Sequence, residues 1–159
     1  MKTLILSIIN GLFTKEVREP KKLHGNSVFI TATEPIIGRT IIIEQDSYSI
    51  WVYLLTPNKL EIDFDGFLCS VVTPVKPNGT LKDFTIKEQP LPIEFSNKYS
   101  FIKNLNKEDI KIDWQENQVI LSIKEEVFLI MNMETKTSYS KSLSCNCPYG
   151  KSLTKEMLT

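Results

Sequence analysis

The chain has 159 residues, with 19 Lys+Arg against 19 Asp+Glu, and so carries no formal net charge. Hydrophobic residues make up 42% and charged residues 24%, proportions of a folded globular chain that argue against disorder and against membrane spanning. A neutral chain lacks the cationic surface that displaces counterions from a nucleic acid. This length suits one domain, 1–159, burying roughly 68–70% of its unfolded surface.

The charge is uneven. Residues 1–25 hold five Lys/Arg and two Glu, whereas 26–75 hold six acids and two bases. That acidic stretch is either a solvated sheet face paired with basic flanks or a surface for a cationic partner. At the start, Met1-Lys2 and the apolar run Thr3–Phe13 fall far short of the roughly 20 residues of a spanning helix. No small-x-small cleavage site follows, so a buried strand over Thr3–Ile9, closed by Asn10-Gly11, and cytoplasmic residence are expected.

Alternation with period two dominates the rest. Ser27–Ala32, Thr40–Glu44, Ile50–Leu55 and Glu61–Val72 read as strands, the last three as an antiparallel meander. Residues 73–92 contain Pro74, Pro77, Pro90 and Pro92 with the turn pair Asn78-Gly79, which makes them connection or edge, pinned to the core by Phe84 and Ile86. Tyr99, Ile102 and Leu105 have roughly helical spacing, so one short helix is expected within 97–109. Ile110–Trp114, Gln118–Lys124 and Glu126–Asn132 return to strands. Thr135–Leu143 reads as a polar edge strand, and the tail 145–159 as ending in one amphipathic turn. The expected fold is all-β: an antiparallel β-sandwich or partly closed barrel of eight to ten strands, with at most one or two short helices.

Catalytic chemistry is hard to assemble. His24 is the single histidine and lies in a basic loop-like segment, so a Ser/His/Asp or a Cys/His system is hard to build. Gly150-Lys151-Ser152 lacks the upstream glycine of a phosphate loop. Cys145 and Cys147 form a lone C-x-C pair without a second pair to complete a zinc site, and an odd count with Cys69 is a poor disulfide framework. Reduced, unmetallated thiols are expected, and no metal or cofactor. Glu61, Asp63 and Asp65 alternate with Ile62 and Phe64 and share one strand face, roughly 6–7 Å apart. Parallel neighbours do not converge on a metal or across a sugar. Trp51 and Tyr53 alternate with Val52 and Leu54, as packing residues do.

Several stretches carry a family resemblance. Asp46-Ser47-Tyr48-Ser49-Ile50-Trp51-Val52-Tyr53-Leu54-Leu55-Thr56-Pro57, then Asp63-Phe64-Asp65-Gly66-Phe67-Leu68, resembles a small family of uncharacterised bacterial proteins of the pattern D-G-x-S-V-W-x-Y-L-T-x-P and D-x-W-L-Y-N. Ser138-Tyr139-Ser140-Lys141-Ser142-Leu143 with Pro148-Tyr149-Gly150 is similar to its G-Y-S-R-x-L and G-P-W-G stretch. Phe67 and Tyr149 stand where that family has tryptophan, and Lys141 where it has arginine. Genes of the family tend to lie near secreted antibacterial toxins, so the resemblance implies an immunity or accessory role and supplies no catalytic residue.

The expected function is therefore non-enzymatic: an immunity or inhibitor protein that binds another protein, such as a cationic toxin domain. Neither nucleic acid nor membrane is expected as a partner. Glu44, Asp46, Glu61, Asp63 and Asp65 are the expected docking residues, acting mainly on association rate. Charge reversal at Asp63 and Asp65 is expected to slow capture and to leave stability little changed. The alternative is a small-ligand-binding β-barrel or sandwich with an apolar cavity.

Overall fold

The computed structural model describes residues 27–77 and 86–159. The expectations for Thr3–Ile9, His24, Asn78-Gly79 and Phe84 lie outside these residues. The protein is all-β. Four strands, β1 (Phe29–Thr33), β2 (Thr40–Gln45), β3 (Ser49–Leu55) and β4 (Ile62–Ser70), form an antiparallel meander in the order β1-β2-β3-β4. A second sheet holds β5 (Ile110–Trp114), β6 (Gln118–Ile123), β7 (Glu126–Asn132), β8 (Thr137–Ser140) and β9 (Lys151–Ser152) in chain order. The sheets face each other without closing into a barrel, and among the described residues the only helical segments are short 3-10 turns. No helix among the described residues is long and apolar enough to cross a membrane.

β3 explains the architecture. It is buried at every position, which requires cover on both faces of its sheet. On one face Ile50, Val52 and Leu54, with Ile41 and Ile43 of β2, pack against Leu121, Leu129 and Met131 of the second sheet. On the other, Trp51, Tyr53 and Leu55 lie under Leu91, Leu143 and Tyr149, which belong to connections outside the two sheets. Each such fully buried side chain contributes roughly 1.5–3 kcal/mol. An Ile-Trp-Val-Tyr-Leu-Leu run therefore needs no polar side.

β4 brings the sheets together. A Cβ on Gly66 would lie 3.0 Å from Leu129 Cδ2 and 3.1 Å from Ser138 Cβ, so glycine allows the β4 backbone to approach β7 and β8. Gly66→Val should destabilise the fold by about 1–3 kcal/mol through overpacking. Urea unfolding that shows no loss would mean that the inter-sheet contact yields freely.

Two local expectations are corrected. The 97–109 segment forms no α-helix; only Lys107–Asp109 is helical, as a 3-10 turn. Asn97 and Ser100 instead fix a turn, with the Tyr99 N–H donating to Asn97 Oδ1 at 2.8 Å and the Ser100 hydroxyl donating to the Ser142 carbonyl at 2.6 Å. Local side-chain bonds of this kind compete with helix. Nor is Thr135–Leu143 an edge, because the chain returns through 141–150 and lays the two-residue β9 parallel against β8.

Candidate functional site: an acidic aromatic face and a pole of hairpin tips

The five acidic residues fall in three settings. Glu44 on β2 is only 7% exposed, with Trp51 as its cross-strand neighbour on β3 and Phe29 on β1. Burial, reinforced by the charge of Asp46 and opposed by that of Lys87, pushes its carboxyl up to about 7. Asp46 shapes the β2–β3 turn, where its Oδ1 accepts from the Tyr48 and Ser49 N–H groups at 2.7 and 2.8 Å. It is also buried, and burial raises its carboxyl against the pull of those two donors.

Asp65, opposite Tyr53 on β3, accepts from Lys87 Nζ at 2.7 Å. Lys87 sits on the 3-10 turn Ile86–Glu88 with its ammonium 4.5 Å from the centroids of both the Trp51 and the Tyr53 rings. Burial, then the neighbouring charges of Glu44, Asp65 and Asp46, raises the Tyr53 hydroxyl far above the usual phenol range. Glu44, Asp46, Asp65, Tyr53 and Lys87 thus form one electrostatic cluster on the second face of the first sheet. Trp51, Phe67 and Tyr149 pack at its floor, with Trp51 stacked on Tyr149 at 5.8 Å and edge-on to Phe67 at 5.4 Å. Trp51, Phe67 and Tyr149 come from three separate stretches of the sequence and meet in this aromatic cluster.

Asp63 belongs elsewhere. Its carboxylate is held by Arg39 Nη1 at 2.9 Å and Lys136 Nζ at 2.8 Å, with the side chain 7% exposed. Burial alone would raise the Asp63 carboxyl, but hydrogen bonds from Lys136 and Arg39 outweigh it and hold the group below the usual carboxylate range. Arg39 Nη1 also donates to the Leu55 carbonyl at 2.7 Å. Glu61 alone of the five is exposed. The acids of β4 therefore do not form one solvated row: different cations hold Asp63 and Asp65. The expectation of little change in stability assumes unpaired acids, whereas Asp63 is paired with Arg39 and Lys136 and Asp65 with Lys87.

The sequence gives little sign of a second feature. The β1–β2 and β3–β4 tips lie side by side, joined by the Asn58 N–H donating to the Gly38 carbonyl at 3.2 Å. The Lys136–Asp63 pair brings the β7–β8 tip to them, and the Met133 N–H bonds the Asn117 carbonyl at 2.8 Å, adding the β5–β6 tip. At this pole Ile36 is 90% exposed, flanked by exposed Ile37 and Leu60. Glu34 Oε2 accepts from the Ile36 and Ile37 N–H groups at 3.0 and 2.7 Å, and Gly38 takes the positive φ of 68° that closes the tip. The apolar side chains are thus presented on a hydrogen-bonded loop.

Beside the pole an open groove of about 530 Å³ runs between β4, β8 and the 146–151 loop, lined by Asp63, Asp65, Lys136 and Lys151 among others. It is charged and open to solvent, unlike the apolar cavity a small-ligand binder needs. All three cysteines are free thiols: Cys69 is buried, its thiol pushed up to about 12 by that burial, Cys147 is half-buried and Cys145 is exposed. No family model matches the chain, and neither a curated protein nor a solved structure does.

Proposed function

We propose that the chain is a non-enzymatic protein-binding module of the immunity or inhibitor kind, working in a bacterial cytoplasm by direct capture of a cationic toxin domain. The observation that carries this reading is the pole of hairpin tips, where Ile36, on a turn bonded to the Glu34 carboxylate, stands in solvent with Ile37 and Leu60. Apolar anchors within a polar rim are the anatomy of a protein interface. Tips at one end of a β-sandwich are also the usual place for binding loops. Glu34, Glu61, Glu116 and Glu134 lie on or beside these tips and would steer a cationic partner. The family resemblance supports the same direction.

Co-expression with the product of the adjacent gene tests it. The wild-type chain should protect the cell, and Ile36→Asp should weaken binding about 10–100-fold, the effect of losing an apolar anchor. Its thermal stability should be unchanged, since Ile36 contacts little of the fold. Full protection by an Ile36→Asp, Leu60→Asp double variant would remove the pole as the interface. Failure of the wild type to bind that product would remove the immunity reading.

A further inference from the structure

β1 is an open edge. The order β1-β2-β3-β4 gives it a single neighbour among the described residues. The ladder to β2 fixes which of its backbone groups that neighbour uses. At one end the Gln45 N–H donates to the Val28 carbonyl at 2.9 Å, and at the other the Glu34 N–H donates to the Arg39 carbonyl at 2.8 Å. The register between them runs without a bulge, and hydrogen-bonded pairs alternate along an antiparallel ladder. Ile30 and Ala32 therefore bond β2, while the N–H and C=O groups of Phe29, Thr31 and Thr33 point away from it.

This edge also lacks protection. Charged side chains, proline, a bulge or extreme shortness keep an edge strand from pairing, and Phe-Ile-Thr-Ala-Thr has none of them. The other edges are guarded. β5 carries exposed Lys111 and Asp113, the Ser70 end of β4 is bonded to Ser100 and Ile102, and β9 is two residues long. The β1 edge is moreover complementary to itself. Laid antiparallel on a second β1 about Thr31, its outward groups meet outward groups: Phe29 faces Thr33 and Thr31 faces Thr31. On the core side Ile30 faces Ala32, both half-buried against the core. Large meets small within the flanking pairs, and no like charges are opposed along the strand. Glu34 of each copy, opposite Val28 of the other, comes beside the hollow of Ser27, Phe29, Asn106, Lys107 and Glu108, where Lys107 offers it a cation.

We infer that two copies of the chain pair through β1, antiparallel about Thr31, joining their four-stranded sheets into one two-fold symmetric sheet. The contact is small, so the dimer is weak and forms at high concentration. Antiparallel pairing sends the two β1–β2 tips to opposite ends of the joint sheet. The inference goes beyond the docking reading and does not rest on it: β1 is a second interaction surface, and its partner is another copy of the chain.

Sedimentation equilibrium from about 10 μM to about 1 mM, the range of weak association, is the test. The wild-type mass should rise from monomer towards dimer. Thr31→Pro should stay monomeric throughout and keep its β-rich circular dichroism, because proline removes an N–H that β2 does not use. Thr31→Lys, which sets two ammonium groups opposite each other, should also stay monomeric, and it decides the matter should the proline variant fail to fold. Hydrogen exchange identifies the surface: the Thr31 amide should exchange several-fold more slowly at the top of this range than at the bottom, with Ile30 and Ala32 protected throughout. A monomeric wild type overturns the inference, as does a dimer that survives in a folded Thr31 variant. Slow exchange at Thr31 that does not depend on concentration also overturns it, since that would mark cover from within the chain. A chain that dimerises in this way but ignores the adjacent gene's product loses only the immunity reading. A chain that binds that product yet stays monomeric across the range loses only this inference.

Discussion

Asp63→Lys should destabilise the fold by about 3–5 kcal/mol, the loss seen when one partner of a buried ion pair is removed and the other is left uncompensated. The Asp63 side chain is nearly buried between Arg39 and Lys136, and a lysine there would place three cations together. Asp65→Lys should cost less, because that carboxylate is 30% exposed and its side chain can reach water. Chemical denaturation of the two single variants measures both losses. Equal, small losses would mean that the clasp does not hold β4 to the β1–β2 and β7–β8 tips. The ordering has a practical side: weakened binding by an Asp63 variant would report a damaged scaffold rather than a missing docking charge.

Glu44→Gln should stabilise the protein above neutral pH by about 3 kcal/mol and do almost nothing below pH 4.5. The folded carboxyl, raised by burial to about 7 from 4.5, binds its proton more tightly than the unfolded one. Between those two values the folded state therefore holds more protons, and stability falls as pH rises. Above pH 7 the full penalty of the buried anion is present, and it corresponds to about 3 kcal/mol. Glutamine has the same shape and cannot ionise, so the difference between variant and wild type should grow from pH 4.5 to 7 and then level off. Thermal or urea unfolding at pH 4, 6 and 8 measures it. A difference that stays flat across this range would place Glu44 in contact with water.

The strands were legible in the sequence because runs such as Thr40–Glu44 and Ile50–Leu55 combine β-branched residues with polar turns, and each lies within one residue of its observed bounds. The Asp46 turn was legible for the same local reason, a short carboxylate capping its own backbone. The fate of the acidic row was not. Arg39 lies 24 positions from Asp63 and Lys87 lies 22 from Asp65, and no local spacing connects such pairs. Period-two alternation places side chains on a face but does not say what covers that face. The described parts of the proline-rich stretch, 73–77 and 86–92, lie outside both sheets as expected, yet Lys87 is the residue that fills the acidic aromatic face. The exposed pole was equally silent, since Ile36, Ile37 and Leu60 in a sequence look like any other core residues.

The most direct test of the account is the association of the purified chain with the product of the adjacent gene, followed by stopped-flow at low and physiological salt. Capture should be fast and should slow as salt screens the glutamates of the pole. Ile36→Asp should leave the association rate within a few-fold and raise the dissociation rate at least 10-fold, as loss of an anchor does. Absence of binding by the wild type, or dissociation of Ile36→Asp at the wild-type rate, would contradict it.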